Sequence, residues 1–173
     1  MTHTHWTRLI RDIPDFPKPG IVFKDIMPVL ADAAAFDDAI EALAAPWLGV
    51  RIDAVLAMEA RGFLFGAPLA MELSAAFAPA RKPGKLPYHS VGVEYDLEYG
   101  SARLEMHTDA IKTGQRVLIV DDLLATGGTA LATAQLVSQL GGEVVACCFV
   151  VELAFLDGRA RMGGTPVESI LQY

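Results

Sequence analysis

The chain has 173 residues, 53% of them hydrophobic, and a formal net charge of −7. That length suggests one domain with a substantial core, and the acidic balance argues against a general polyanion-binding surface, so nucleic acid is not an expected partner. The longest run free of charged and polar side chains, Gly62–Met71, falls well short of the ~20 residues a membrane span needs, and the N-terminus lacks the basic and apolar regions of a signal peptide; a cytoplasmic protein without membrane attachment is expected.

Pro14, Pro17, Pro19 and Gly20 break up the N-terminal segment, which cannot be one continuous helix. Asp32–Trp47 reads as a helix, with Phe36, Ile40, Leu43 and Trp47 at helical spacing. Asp53–Met58 reads as a buried strand and Phe63–Ala75 as a helix opening near Gly62. Ala76–Ala80 is a weak strand candidate because Pro79 interrupts it. Arg81–Pro87 is a basic loop broken by Pro83, Gly84 and Pro87. Val91–Tyr95 and Ala102–Met106 alternate and predict an antiparallel hairpin.

Arg116–Val120 reads as the central strand. Thr129–Leu140 is a helix stopped by Gly141-Gly142, and Val144–Val151 is a second apolar strand. Cys147 and Cys148 are neighbours within that strand and read as small core residues. Strand, helix and strand joined by right-handed crossovers give an α/β fold with a mostly parallel sheet. No internal repeat or long linker divides it.

The stretch Val117–Thr129 carries most of the chemistry. Four apolar residues lead into Asp121-Asp122, expected where the strand ends. Open α/β sheets bind ligands at the carboxyl ends of their strands. Ala125-Thr126-Gly127-Gly128-Thr129 then offers glycines that admit an anion closely, two hydroxyls, and the free N–H groups of a helix start. Two acceptors for sugar hydroxyls beside a phosphate cradle suit a ribose phosphate. Neither a Walker P-loop nor a complete Rossmann glycine pattern is present.

This stretch resembles the phosphoribosyl-pyrophosphate (PRPP) motif of the type I phosphoribosyltransferases. Asp15–Ile26, Glu59-Ala60-Arg61-Gly62-Phe63, Arg81–Pro87, Leu97-Glu98-Tyr99-Gly100 and Ser169–Tyr173 narrow the resemblance to the adenine-specific members. It implies the type I phosphoribosyltransferase fold with a flexible hood loop or hairpin, and an N-terminal portion of roughly 30 residues forming a hood on the base side. It also implies purine salvage: adenine and PRPP give AMP and pyrophosphate. A homodimer is implied as well.

The resemblance assigns residues to the parts of that reaction. Asp121 and Asp122 would hold the ribose hydroxyls, near the positive charge that develops at C1 as pyrophosphate leaves. Ala125 to Thr129 would hold the 5′-phosphate. Glu59, Ala60, Arg61, Arg81, Lys82 and Lys85 would form the pyrophosphate side, with a cis peptide bond between Glu59 and Ala60. Mg²⁺ is the implied ion, bound mainly through PRPP and pyrophosphate oxygens, with no protein ligand assigned. Glu98 would be the general acid near N7 of adenine. Main-chain groups of Val22 and Lys24, with Phe23 between them, would contact the base; the family often has arginine where Lys24 stands, and the two cations differ in geometry. Two alternatives share the motif: transfer to another purine such as xanthine or guanine, and a PRPP-sensing regulator without turnover.

Overall fold

The structure, a computed structural model, describes residues 5–16, 18–97 and 100–173. An antiparallel ribbon comes first, β1 (Arg11–Pro14) with β2 (Val22–Asp25). This ribbon was not visible in the sequence as strand pattern. Its turn is closed by Asp15, whose carboxylate accepts from the Gly20 N–H at 2.7 Å. A single helical turn, α1 (Met27–Leu30), follows. The Asp25 carboxylate accepts from the Met27 N–H at 2.9 Å, and Arg11 donates twice to the same group.

Helix α2 (Ala33–Ala44) starts after Asp32, whose side chain caps the Ala35 N–H at 3.0 Å. It ends earlier than expected, because Pro46 sits in the tighter 3-10 turn Ala45–Trp47. Strand β3 (Ala54–Met58) is buried throughout. Helix α3 (Gly62–Glu72) stops before Ser74, which has φ of 51°. Strand β4 (Ala76–Ala80) is real and lies at the sheet edge, where Pro79 is tolerated. The hairpin pairs β5 (Ser90–Leu97) with β6 (Gly100–His107). Strand β7 (Arg116–Leu124), helix α4 (Gly128–Gln139) and strand β8 (Glu143–Glu152) follow, and β9 (Val167–Gln172) closes the sheet.

The sheet is parallel in every pairing, in the order β4-β3-β7-β8-β9. Strand β7 is therefore central, as expected. Alternation sends successive side chains to two separate cores. Val55, Ala57, Leu118 and Val120 pack with Phe65 and Leu69 of α3 and Leu43 of α2. Leu56, Met58, Val117 and Ile119 pack with Leu136 and Val137 of α4 and with Val93, Leu104 and Met106 of the hairpin. The cysteines split likewise, Cys148 into the first core and Cys147 into the second. Both are free and buried. Burial pushes the Cys147 thiol up to about 12 and raises Cys148 as well, so neither is a ready nucleophile.

This arrangement fixes where a ligand can sit. Strands β3 and β7 are neighbours, yet α3 leaves to one face and α4 to the other. The chains diverge and open a crevice beyond the carboxyl ends of the two strands, the topological switch point of an open α/β sheet.

Candidate active site

The crevice is built from the turn after β3 and the end of β7. The expectation that the strand stops before the acids needs correction, since β7 continues through Leu124. Strand β8 accompanies it, pairing Asp121 with Phe149 and Leu124 with Glu152. Pairing to β3 ends at Val120. Asp121 and Asp122 therefore lie on a strand held from one side and open on the other.

Asp122 is only 5% exposed and takes an ion pair from Arg61 Nε at 2.8 Å. Its main-chain N–H donates to Asp121 Oδ1 at 2.9 Å. Burial raises the Asp121 pKa well above the ordinary carboxylate range, and the neighbouring charge of Asp122 adds to this. Burial raises Asp122 too, opposed by Arg61. Gly62 makes this approach feasible: a Cβ there would lie 2.8 Å from Asp121 Oδ1 and 3.1 Å from the Val120 carbonyl oxygen.

The Glu59–Ala60 peptide bond is cis, as the resemblance implied. Glu59 joins this turn to the basic loop after β4. Its carboxylate accepts from the Lys82 N–H at 3.0 Å and from Arg81 Nε at 3.3 Å. The Lys82 N–H is the main cause of its lowered pKa, and the Arg81 charge assists. Arg81 also donates to the Lys85 carbonyl at 3.2 Å and bridges by main chain to Glu105 of β6. Its guanidinium is thus engaged within the loop, while Lys82 and Lys85 are exposed.

The phosphate-type turn follows β7. Gly127 takes φ of 80°, a left-handed conformation that glycine adopts without steric cost, and α4 begins at the next residue with no side-chain cap. Its first N–H groups are left to serve an anion. Asp121, Ala125, Thr126, Gly127, Gly128 and Thr129 line a cavity of about 80 Å³. Thr129 Oγ1 lies 3.5 Å from the Tyr95 hydroxyl of the hairpin. Alternation in β5 places Tyr95 on one face, but no sequence pattern ties it to Thr129.

The ribbon forms the other wall. The Ile21 carbonyl accepts from the Phe16 N–H. Strand alternation then turns the main-chain groups of Val22 and Lys24 to the ribbon's opposite edge. The Phe23 ring is packed edge-on by Phe16 at 5.2 Å and lies 5.5 Å from the Arg61 guanidinium carbon. The Lys24 ammonium pairs with Asp12 at 2.7 Å and stands 3.7 Å over the Tyr173 ring. Its side chain therefore has a local structural role. Val22 and Lys24 share a cavity of about 570 Å³ with Leu153, Phe155, Leu156 and Tyr173. The last four were not foreseen as site residues; only the ribbon's position makes them neighbours of β2. Glu98 lies outside the described residues.

Comparison with known proteins agrees with this geometry. The model of the phosphoribosyl transferase domain family matches residues 30–165. Over 95% of the chain there is 60% identity to an adenine phosphoribosyltransferase of Myxococcus xanthus, covering 89% of that protein. A crystal structure of adenine phosphoribosyltransferase from Thermoanaerobacter pseudethanolicus superposes with a TM-score of 0.96 at 55% identity, covering 99% of this chain and 100% of the other. The Saccharomyces cerevisiae adenine phosphoribosyltransferase, solved with adenine and an imino-altritol bisphosphate, superposes at 0.90 with 40% identity, covering 95% and 96% of the two chains. The chain belongs to the adenine phosphoribosyltransferase family.

Proposed function

We infer that this enzyme transfers the 5-phosphoribosyl group of PRPP to adenine, giving AMP and pyrophosphate in purine salvage. The observation that carries the reading is the pairing of the half-buried Asp121 and buried Asp122 with an uncapped, glycine-started helix on the next turn. The turn from Ala125 to Thr129 binds the 5′-phosphate through main-chain N–H groups and the two threonine hydroxyls. Asp121 and Asp122 accept hydrogen bonds from the 2′- and 3′-hydroxyls of ribose. Those donors favour the ionised acids, which then face the positive charge developing at C1.

Arg61 opposes the effect of burial on Asp122 and reaches toward the leaving pyrophosphate. Lys82 and Lys85 supply further positive charge, and Glu59 holds their loop in place. Among the described residues, no group of three His, Cys, Asp or Glu side chains is placed to hold a metal. Mg²⁺ carried by PRPP and pyrophosphate oxygens would neutralise leaving-group charge. Adenine lies against Phe23, and the outward main-chain groups of Val22 and Lys24 meet its polar edge. A carbonyl there accepts from the exocyclic amine of adenine but repels the oxygen that guanine and hypoxanthine carry instead. Glu98 donates a proton near N7 as N9 forms the new bond.

We also expect a homodimer. Leu64 and Met71 on α3 and Phe77 on edge strand β4 are exposed apolar residues, Met71 at 82%. Light scattering at working concentration distinguishes dimer from monomer. No helix among the described residues is long and apolar enough to cross a membrane. A purine panel at one PRPP concentration with Mg²⁺ tests the base assignment. AMP formation from adenine, far exceeding product from guanine, hypoxanthine or xanthine, is expected. Preference for a 6-oxopurine, or no product at all, would contradict it.

A further inference from the structure

An ion pair with a buried carboxylate stands behind the 125–129 turn, and none of the reaction steps above employs it. Glu152, at the end of β8, is 3% exposed. Arg159 grips it with two hydrogen bonds, Nε to Oε1 at 2.7 Å and Nη2 to Oε2 at 2.8 Å. Its remaining nitrogen, Nη1, donates to the Val167 carbonyl at 2.6 Å. The Ser169 hydroxyl and the Gln172 amide donate to the same carboxylate. Every charged atom of the pair has a partner, so the buried carboxylate holds the partly exposed Arg159 side chain in one geometry.

The residue before Arg159 touches the turn directly. A Cβ on Gly127 would lie 2.5 Å from the Gly158 carbonyl oxygen, and a Cβ on Gly158 would overlap the Ala125 carbonyl oxygen. Two backbones thus meet at a distance only glycines allow. The 3-10 segment Gly158–Met162 is the wall against which the turn rests. Met162 anchors the far end of that wall in the core shared with α4.

We propose that Arg159 is a positioning residue for the 5′-phosphate: its fork on Glu152 fixes Gly158, and Gly158 holds Gly127 in the conformation that converges the helix-start N–H groups. The proposal rests on the reading of residues 125–129 as the phosphate cradle. Arg159→Ala alone would strand a buried carboxylate and can fail to fold. The informative variant is Glu152→Gln with Arg159→Met, which removes both charges and keeps similar volume. Calorimetry with ribose 5-phosphate and steady-state kinetics supply the readouts.

In the folded double variant, the ribose 5-phosphate Kd and the KM for PRPP rise tenfold or more, while the KM for adenine changes less than twofold. Arg159→Lys keeps the charge but loses the fork, and recovers only part of the loss. Unchanged ribose 5-phosphate affinity in the folded double variant overturns the proposal. So does equal weakening toward adenine and PRPP, which marks a merely structural pair. Gly127→Ala separates the two levels. If it leaves ribose 5-phosphate binding intact, the cradle reading fails and takes the positioning role with it. If it abolishes binding while the folded double variant binds normally, the positioning role alone is wrong.

Discussion

Arg61 Nε lies 2.8 Å from Asp122 Oδ2, joining a side chain that is 45% exposed to a carboxylate that is almost wholly buried. The guanidinium therefore has one edge fixed inside the site and the other open to the crevice. Its central carbon is also 5.5 Å from the Phe23 ring. One residue thus borders the proposed positions of ribose, pyrophosphate and base, and its orientation is set by the acid.

Replacing Arg61 with glutamine should lower kcat/KM for PRPP by roughly 10²- to 10³-fold, the scale for losing one charge-stabilising donor. Asp122 would lose the cation that opposes the effect of its burial. Its pKa then rises further, and the acid limb of the kcat/KM profile for PRPP moves to higher pH. Steady-state rates across pH test both effects, and an unmoved acid limb would remove Arg61 from control of the acid pair.

Asp121→Asn should stabilise the ligand-free protein while damaging catalysis. The folded pKa of Asp121 is raised by burial and by Asp122. A raised carboxylate favours the fold below its unfolded pKa and loses that contribution as pH rises through the folded value. At neutral pH, above the unfolded pKa, placing this carboxyl in the fold costs stability that asparagine does not lose. A gain in Tm of about 2–4 °C, corresponding to roughly 1 kcal/mol, is expected at pH 7–8. The gain should vanish in acid. Calorimetric melting at several pH values checks the sign.

Two glycines of α3 predict different failures. In Gly62→Ala the new methyl meets Asp121 Oδ1 and the Val120 carbonyl, so PRPP binding should suffer with little loss of stability. In Gly66→Ala it meets the Ala57 Cβ at 2.5 Å, between the buried face of α3 and the buried strand β3. Overpacking of that kind costs about 1–3 kcal/mol. Melting curves should fall for Gly66→Ala, and KM for PRPP should rise for Gly62→Ala.

Glu98→Gln should lower turnover far more than it weakens PRPP binding, since its proposed role is proton donation and not sugar recognition. Pre-steady-state rates together with PRPP affinity give the comparison. Unchanged turnover would exclude Glu98 from the mechanism.

Much of the site was legible because its chemistry is local. Asp121, Asp122 and the turn to Thr129 are consecutive, and the glycines and hydroxyls there have few other uses. The central strand was legible from the unbroken apolar run Val117–Val120; its division between two cores, Val117 and Ile119 against Leu118 and Val120, came from the structure. The ribbon β1–β2 was not, because Pro14, Pro17 and Pro19 mask strand pattern and its pairing depends on Asp15 closing the turn. The extension of β7 past Val120 depends on β8, a partner chosen by tertiary structure. The Arg159–Glu152 pair was likewise invisible, since separation along the chain does not reveal that Gly158 meets Gly127.

The most direct test is calorimetry with AMP, adenosine and 2′,3′-dideoxy-AMP on the wild-type enzyme. The account places the phosphate on the turn from Ala125 to Thr129 and the ribose hydroxyls on Asp121 and Asp122. AMP should bind saturably, and each analogue should bind at least tenfold more weakly. Equal affinity for AMP and adenosine, or for AMP and the dideoxy nucleotide, would contradict it.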